Sequence, residues 1–220
     1  MTRRHWITLG LAASSVSCRK NAAPPARAAA GPPIKSTAEY WHPLTDATQW
    51  RQVMGGPLSE PEPGILHLQF GEGLSGLKWA GPAPEGAFEI ELEARRVDGT
   101  DFFCGLTFPA RRSGECVTWV VGGWGGGLVG ISSVDERDAS ENETARPMSF
   151  EKGRWYKLRL SCGDERIQAW IDGVQVVDLD TKGRKLSLRP GPIDSCAPFG
   201  LSTWQTTGEF RALRWRGFCG

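Results

Sequence analysis

The stretch Trp119-Val120-Val121-Gly122-Gly123-Trp124-Gly125-Gly126-Gly127 sets five glycines in six positions around one tryptophan. Core packing does not explain such a run, since each glycine costs chain entropy and brings no side chain. It lets a ligand or another backbone approach closely beside Trp124. An indole face stacks on a pyranose because the sugar's polarised C–H groups meet the negative π-face. Trp119 and Trp124, with Gly123 and Gly125, are therefore the candidate saccharide platform; the alternative is a glycine-rich hairpin whose Trp124 packs on the rim of the domain. The segment Asp135 to Arg146 follows, with Asp135, Glu136, Asp138, Glu141 and Glu143 among Ser140, Asn142 and Thr144. Its carboxylates could serve as general acid and base at a glycosidic bond, or its oxygens could hold Ca²⁺, the one cofactor this composition suggests. A solvated polar loop would have the same composition.

Other chemistries find less support. The glycine run lacks a following Gly-Lys-Ser/Thr and a helix start, so it is no phosphate cradle. Of three histidines, only His42 and His67 lie beyond the N-terminal leader. HExxH, GxSxG and C-x-x-C patterns do not occur, which argues against a zinc peptidase, a serine hydrolase, a zinc ribbon and a thioredoxin-like site, and no metal ligands are assigned. Catalysis would fall to carboxylates: Glu141, Glu143 and Asp101, which opens a strand near the glycine run and would need a pKa raised by partial burial. Asn142 joins them as a binding residue. Lys plus Arg number 26 against 25 acids, so no cationic excess exists to hold a nucleic-acid backbone.

The elements that must position these residues read as strands. Phe88, Ile90 and Leu92 alternate with Glu89, Glu91 and Glu93, and Leu66, Leu68 and Phe70 alternate with His67 and Gln69, the period of half-buried strands. Phe102 to Phe108, Val117 to Gly122 and Leu128 to Ser132 follow. Tyr156 to Leu160, Ile167 to Ile171 and Val174 to Leu179 form a meander, whose Asp172-Gly173 turn suits two residues of positive φ. Phe199 to Trp204 and Phe210 to Trp215 close the domain, the latter with an expected bulge. Cys104 and Cys116, on neighbouring strands, are the favoured disulfide, although an odd cysteine count would leave a thiol over. Turns about every ten residues and the lack of any long amphipathic helix predict an all-β antiparallel sandwich or barrel.

The order Trp155-Tyr156-Lys157-Leu158-Arg159-Leu160, Ile167 to Gly173, Phe199-Gly200-Leu201 and Phe210-Arg211-Ala212-Leu213 resembles concanavalin A-like lectin/glucanase domains, and within them the 3-keto-disaccharide hydrolase family. Trp41-His42-Pro43-Leu44 and Trp50 are similar to that family's opening segment. The resemblance implies an antiparallel two-sheet β-sandwich, a jelly roll of concanavalin A-like type, over 38–220. It also implies a carbohydrate ligand and hydrolysis of 3-keto-disaccharides or related glycosides. The chain departs from the family pattern at Phe103 to Phe108 and at Val117 to Val121, which leaves a non-catalytic carbohydrate-binding module or a cell-envelope interaction domain as alternatives.

The N-terminus reads as an address. Arg3 and Arg4 precede an apolar stretch from Trp6 to Val16, too short to span a bilayer, and Ser15-Val16-Ser17-Cys18 resembles a lipobox. Residues 1–18 are expected to be a signal peptide of lipoprotein type, with Cys18 lipidated, and the Ala/Pro-rich 19–37 a tether. The product is expected to be exported and membrane-anchored in the periplasm or cell envelope. Losing residues 1–18 removes two arginines and no acids, leaving 24 cationic against 25 acidic residues, a net charge of −1.

Overall fold

The computed structural model describes residues 40–110 and 115–218. The leader, Cys18, the tether and Cys219 lie outside the described residues. Among the described residues fifteen strands follow in chain order: β1 (His42–Pro43), β2 (Trp50–Met54), β3 (Leu58–Ser59), β4 (Leu66–Leu68), β5 (Leu74–Trp79), β6 (Ala87–Gly99), β7 (Cys104–Pro109) and β8 (Cys116–Gly122). Then come β9 (Leu128–Ser132), β10 (Arg146–Pro147), β11 (Tyr156–Cys162), β12 (Arg166–Ile171), β13 (Val174–Asp180), β14 (Gly200–Trp204) and β15 (Thr206–Phe218). The first sheet runs β13-β12-β11-β6-β15-β4-β3, with β1 beside β15, and the second runs β10-β9-β8-β7-β14-β5-β2. Neighbouring strands are antiparallel, and the result is the all-β two-sheet jelly-roll sandwich expected.

Alternation builds the core. Phe88, Ile90, Leu92 and Ala94 of β6 face inward and are essentially inaccessible, as are Leu106, Phe108, Trp119, Val121 and Leu201 of the second sheet. Each large side chain so buried contributes about 1.5–3 kcal/mol relative to exposure. The β11–β12–β13 meander forms as read, with Asp172 and Gly173 at φ 49° and 78°. The expected bulge in β15 lies between Arg211 and Arg214.

Two expectations change. Phe70 does not continue the inward stripe, because β4 ends at Leu68 and leaves Phe70 exposed. Cys104 and Cys116 are both free: they sit at opposite ends of the β7–β8 pairing, Cys104 across from Val121 and Cys116 across from Pro109. The outward face of β6 is the charged one, and its charges are paired. Glu89, Glu91 and Glu93 stand opposite Arg216, Arg214 and Arg211 of β15, and each is ion-paired to its opposite number. Glu89 also pairs with Arg159 and is inaccessible. Trp41 covers Arg214 and Arg216, Trp155 covers Arg95 and Arg211, and Trp170 covers Arg159, with guanidinium carbons 4.1–4.7 Å from the ring centres. Such contacts stabilise by about 0.5–1 kcal/mol each at exposed sites. Much of the tryptophan excess therefore belongs to this charged sheet face.

Candidate functional site

The outward face of the second sheet carries a groove of about 420 Å³. Thr118 and Val120 of β8 and Ser132 of β9 line it, as alternation requires of residues whose neighbours Trp119 and Ile131 point into the core. Asp101, Trp124, Trp204 and Arg189 also line it, with the segment Pro190 to Ile193. That segment leads into the short 3₁₀ helix Pro192–Cys196, which is held down by a small apolar cluster of Leu74, Ile193 and Cys196. Of the tryptophans in the described residues, Trp124 and Trp204 are the two exposed ones, at 40% and 36%. Both are at this groove.

A left-handed turn presents Trp124. Gly122, Trp124, Gly125 and Gly126 have φ of 78°, 50°, 77° and 93°, a region that glycine enters freely and tryptophan does not. Asp101 secures the turn. Its Oδ2 accepts the Gly125 N–H at 2.8 Å and its Oδ1 accepts the Phe102 N–H at 2.8 Å. Carboxylate and indole are thus fixed to one another through the main chain. Arg189 places its guanidinium carbon 5.9 Å from the centre of the Trp124 ring.

The remaining sequence candidates are placed elsewhere. Trp119, expected on the ligand face, is wholly buried between the sheets. Glu141 is exposed, and neither it nor Glu143 lines the groove. Asn142 organises its own loop: its amide donates to the carbonyls of Ile131, Arg137 and Asp138, and its oxygen accepts from the N–H and hydroxyl of Thr144. Among the described residues, no three His, Cys, Asp or Glu side chains are grouped to hold a metal ion. Trp204 went unnoticed in the sequence because it ends β14 and reaches the groove only through pairing with Leu74.

The acidic loop instead clamps the segment that walls the groove. Arg184 bonds Asp135 and Glu143, Lys185 bonds Glu136, and the main chain of Ser133 exchanges two hydrogen bonds with Ser187. The Lys185 N–H and Arg184 hold Asp135 below the usual carboxylate range, Lys185 does so for Glu136, and Arg184 for Glu143. Depressed folded-state values mean that the contribution is present above the ordinary values of 3.8 and 4.5 and is lost as pH falls through the folded ones. Arg184→Met is accordingly expected to lower Tm by about 2 °C near neutral pH. Melts repeated at about pH 3 should show that gap closing; a gap that persists there would detach the effect from these carboxylates.

A second concavity lies over the first sheet between Glu91, Arg159 and Trp170, but Glu91 and Glu93 there are already paired with arginines. Comparison with known proteins bears on the fold and the family. Residues 41–216 match the model of the 3-keto-alpha-glucoside-1,2-lyase-like domain. Comparison with curated proteins gives no match. Among solved structures, the carbohydrate binding module CBM66 from Bacillus subtilis superposes with a TM-score of 0.53 at 17% identity, over 77% of this chain and 96% of that one. A Bacillus subtilis protein of unknown function with a galectin-like fold gives 0.58 at 12%, over 83% and 97%. The Crh5 transglycosylase in complex with NAG gives 0.54 at 14%, over 87% and 89%. At these identities the likeness is one of fold, and the family follows from the domain match: the chain belongs to the 3-keto-alpha-glucoside-1,2-lyase-like family, a carbohydrate-related β-sandwich domain.

Proposed function

We propose that the groove binds the sugar of a 3-keto-glycoside and that Asp101 is the base that opens its glycosidic bond. The observation that carries this is that Asp101 lines the same groove as the exposed Trp124 and Trp204, with Arg189 on that lining. A standard glycosidase needs two carboxylates about 5–9.5 Å apart, and Asp101 is the one carboxylate on this lining. A sugar oxidised at C3 needs only one base, because the ketone acidifies the C2–H bond. Asp101 takes that proton, the C1=C2 bond forms, the C1–O bond breaks, and the departing oxygen regains a proton from Asp101 or water. Arg189 supplies positive charge for the C3 oxygen as the enolate develops. Addition of water across the new double bond then gives the products of hydrolysis.

The family match supports the substrate class, and the neighbours named for carbohydrate binding and transglycosylation support a saccharide ligand. A second reading, binding without turnover, is favoured by the engagement of both Asp101 oxygens with main-chain N–H groups. Mixing the protein with methyl 3-keto-α-glucoside decides between them: methanol is released, with enone absorbance or free 3-keto-glucose, if the groove is catalytic, whereas binding without methanol release leaves the module. No binding of this glycoside or of methyl α-glucoside would sink both. Loss of one stacking face in Trp124→Ala or Trp204→Ala should weaken binding about tenfold by calorimetry. The same proposal has the protein exported and anchored through Cys18, on the strength of Arg3-Arg4, the apolar stretch and the Ser15–Cys18 motif. Palmitate labelling that disappears in Cys18→Ser is the expected result, and unchanged labelling would refute it.

A further inference from the structure

Arg96 continues the inward stripe of β6, two residues beyond Ala94. A guanidinium there faces a protein interior, where an uncompensated charge is costly, and the residue is only 8% exposed. Its Nη2 donates to the carbonyl of Asp101 at 3.1 Å and to those of Gly122 and Gly126 at 3.4 Å each. The guanidinium carbon lies 5.4 Å from the centre of the Phe103 ring, and Nε has no partner among the described residues. A Cβ on Gly122 would approach the guanidinium to 2.9 Å, and one on Gly126 to 3.0 Å. These glycines leave room for an arginine, and the three carbonyls it holds belong to Asp101 and to the two ends of the turn that carries Trp124.

We propose that Arg96 is the positioning residue of the groove: from the first sheet it ties the Asp101 main chain and both ends of the Trp124 turn into one unit, so that carboxylate and indole keep a fixed separation. The left-handed conformation of Trp124 is one that a tryptophan keeps only when its surroundings impose it. Burial pushes the guanidinium below its ordinary value, while Asp101 and Tyr156 pull it back up. A lysine at this position lacks the planar guanidinium that packs over Phe103 and places Nη2 among the three carbonyls, and it would lose its charge more readily on burial.

The test uses the full chain carrying 5-fluorotryptophan, with the Trp124 resonance assigned by its disappearance in Trp124→Phe. In Arg96→Met and Arg96→Lys the Trp124 resonance is expected to move or broaden while that of the core Trp119 stays in place. The dissociation constant for methyl 3-keto-α-glucoside should rise about tenfold, as for loss of a stacking face. An unmoved Trp124 resonance in either folded variant overturns the proposal. Should neither variant fold, the ¹⁵N-arginine spectrum of the unaltered chain still decides: slow rotation about the Arg96 Cζ–Nη bonds is expected, and free rotation overturns it. The sugar measurement rests on the function proposed above and the fluorine measurement does not. A moved resonance with no sugar binding to the unaltered chain would therefore defeat that function and support the positioning role.

Discussion

Asp101→Asn is expected to lower the rate of enone formation from methyl 3-keto-α-glucoside by about 10²–10⁴-fold, the range for removal of a general base. The substitution keeps volume and shape. It does not keep both hydrogen bonds, because Asp101 accepts the Phe102 N–H with one oxygen and the Gly125 N–H with the other. Asn has one carbonyl oxygen, so its amide must face one of those N–H groups donor to donor. The Trp124 turn should therefore loosen, and affinity should fall as well, by about tenfold. Separating the two losses decides the role of Asp101. A rate loss at saturating sugar that far exceeds the affinity loss identifies a base acting in the transition state. Equal losses would mean that Asp101 acts only as the anchor of the turn, and the base would have to be another group.

What was legible in the sequence follows from how local each signal is. Phe88, Ile90 and Leu92 announced a strand because one face of β6 meets the core, so burial itself has period two. Asp101 and Trp124 were both identifiable because a glycine-rich turn needs glycines wherever it folds. The same logic fails in β8, where Val117 through Gly122 are all buried. The groove's wall covers the outer face there, so alternation carries no information about direction, and Trp119 could not be told from Val120 by pattern. The acidic loop was legible as acidic but not as a clamp, since Arg184 and Lys185 lie more than forty residues further along. Arg96 did leave a signal: a charged residue in register with an inward apolar stripe. Trp204 left none, because only the pairing of β14 with β5 brings it to the groove.

Trp119→Ala is expected to cost about 3–5 kcal/mol of stability, the range for truncating a large buried aromatic, and to lower Tm by about 10 °C. Trp119 is inaccessible and belongs to the cluster that joins the two sheets, so the vacated volume would be an interior cavity rather than a surface dent. Trp119→Phe separates packing from polarity. The indole Nε1 is buried without a partner among the described residues, and a phenyl ring removes that unmet donor while it fills most of the space. The Phe variant should therefore lose far less, about 1–2 kcal/mol, and should bind methyl 3-keto-α-glucoside as the unaltered chain does. Trp124→Ala should show the reverse pattern, near-unchanged melting with weakened binding, because its ring is exposed beside Asp101. If Trp119→Phe instead kept its Tm and lost the sugar, the inward face of β8 would have to be part of the ligand site. The groove on the opposite face would then not be the place where the sugar sits.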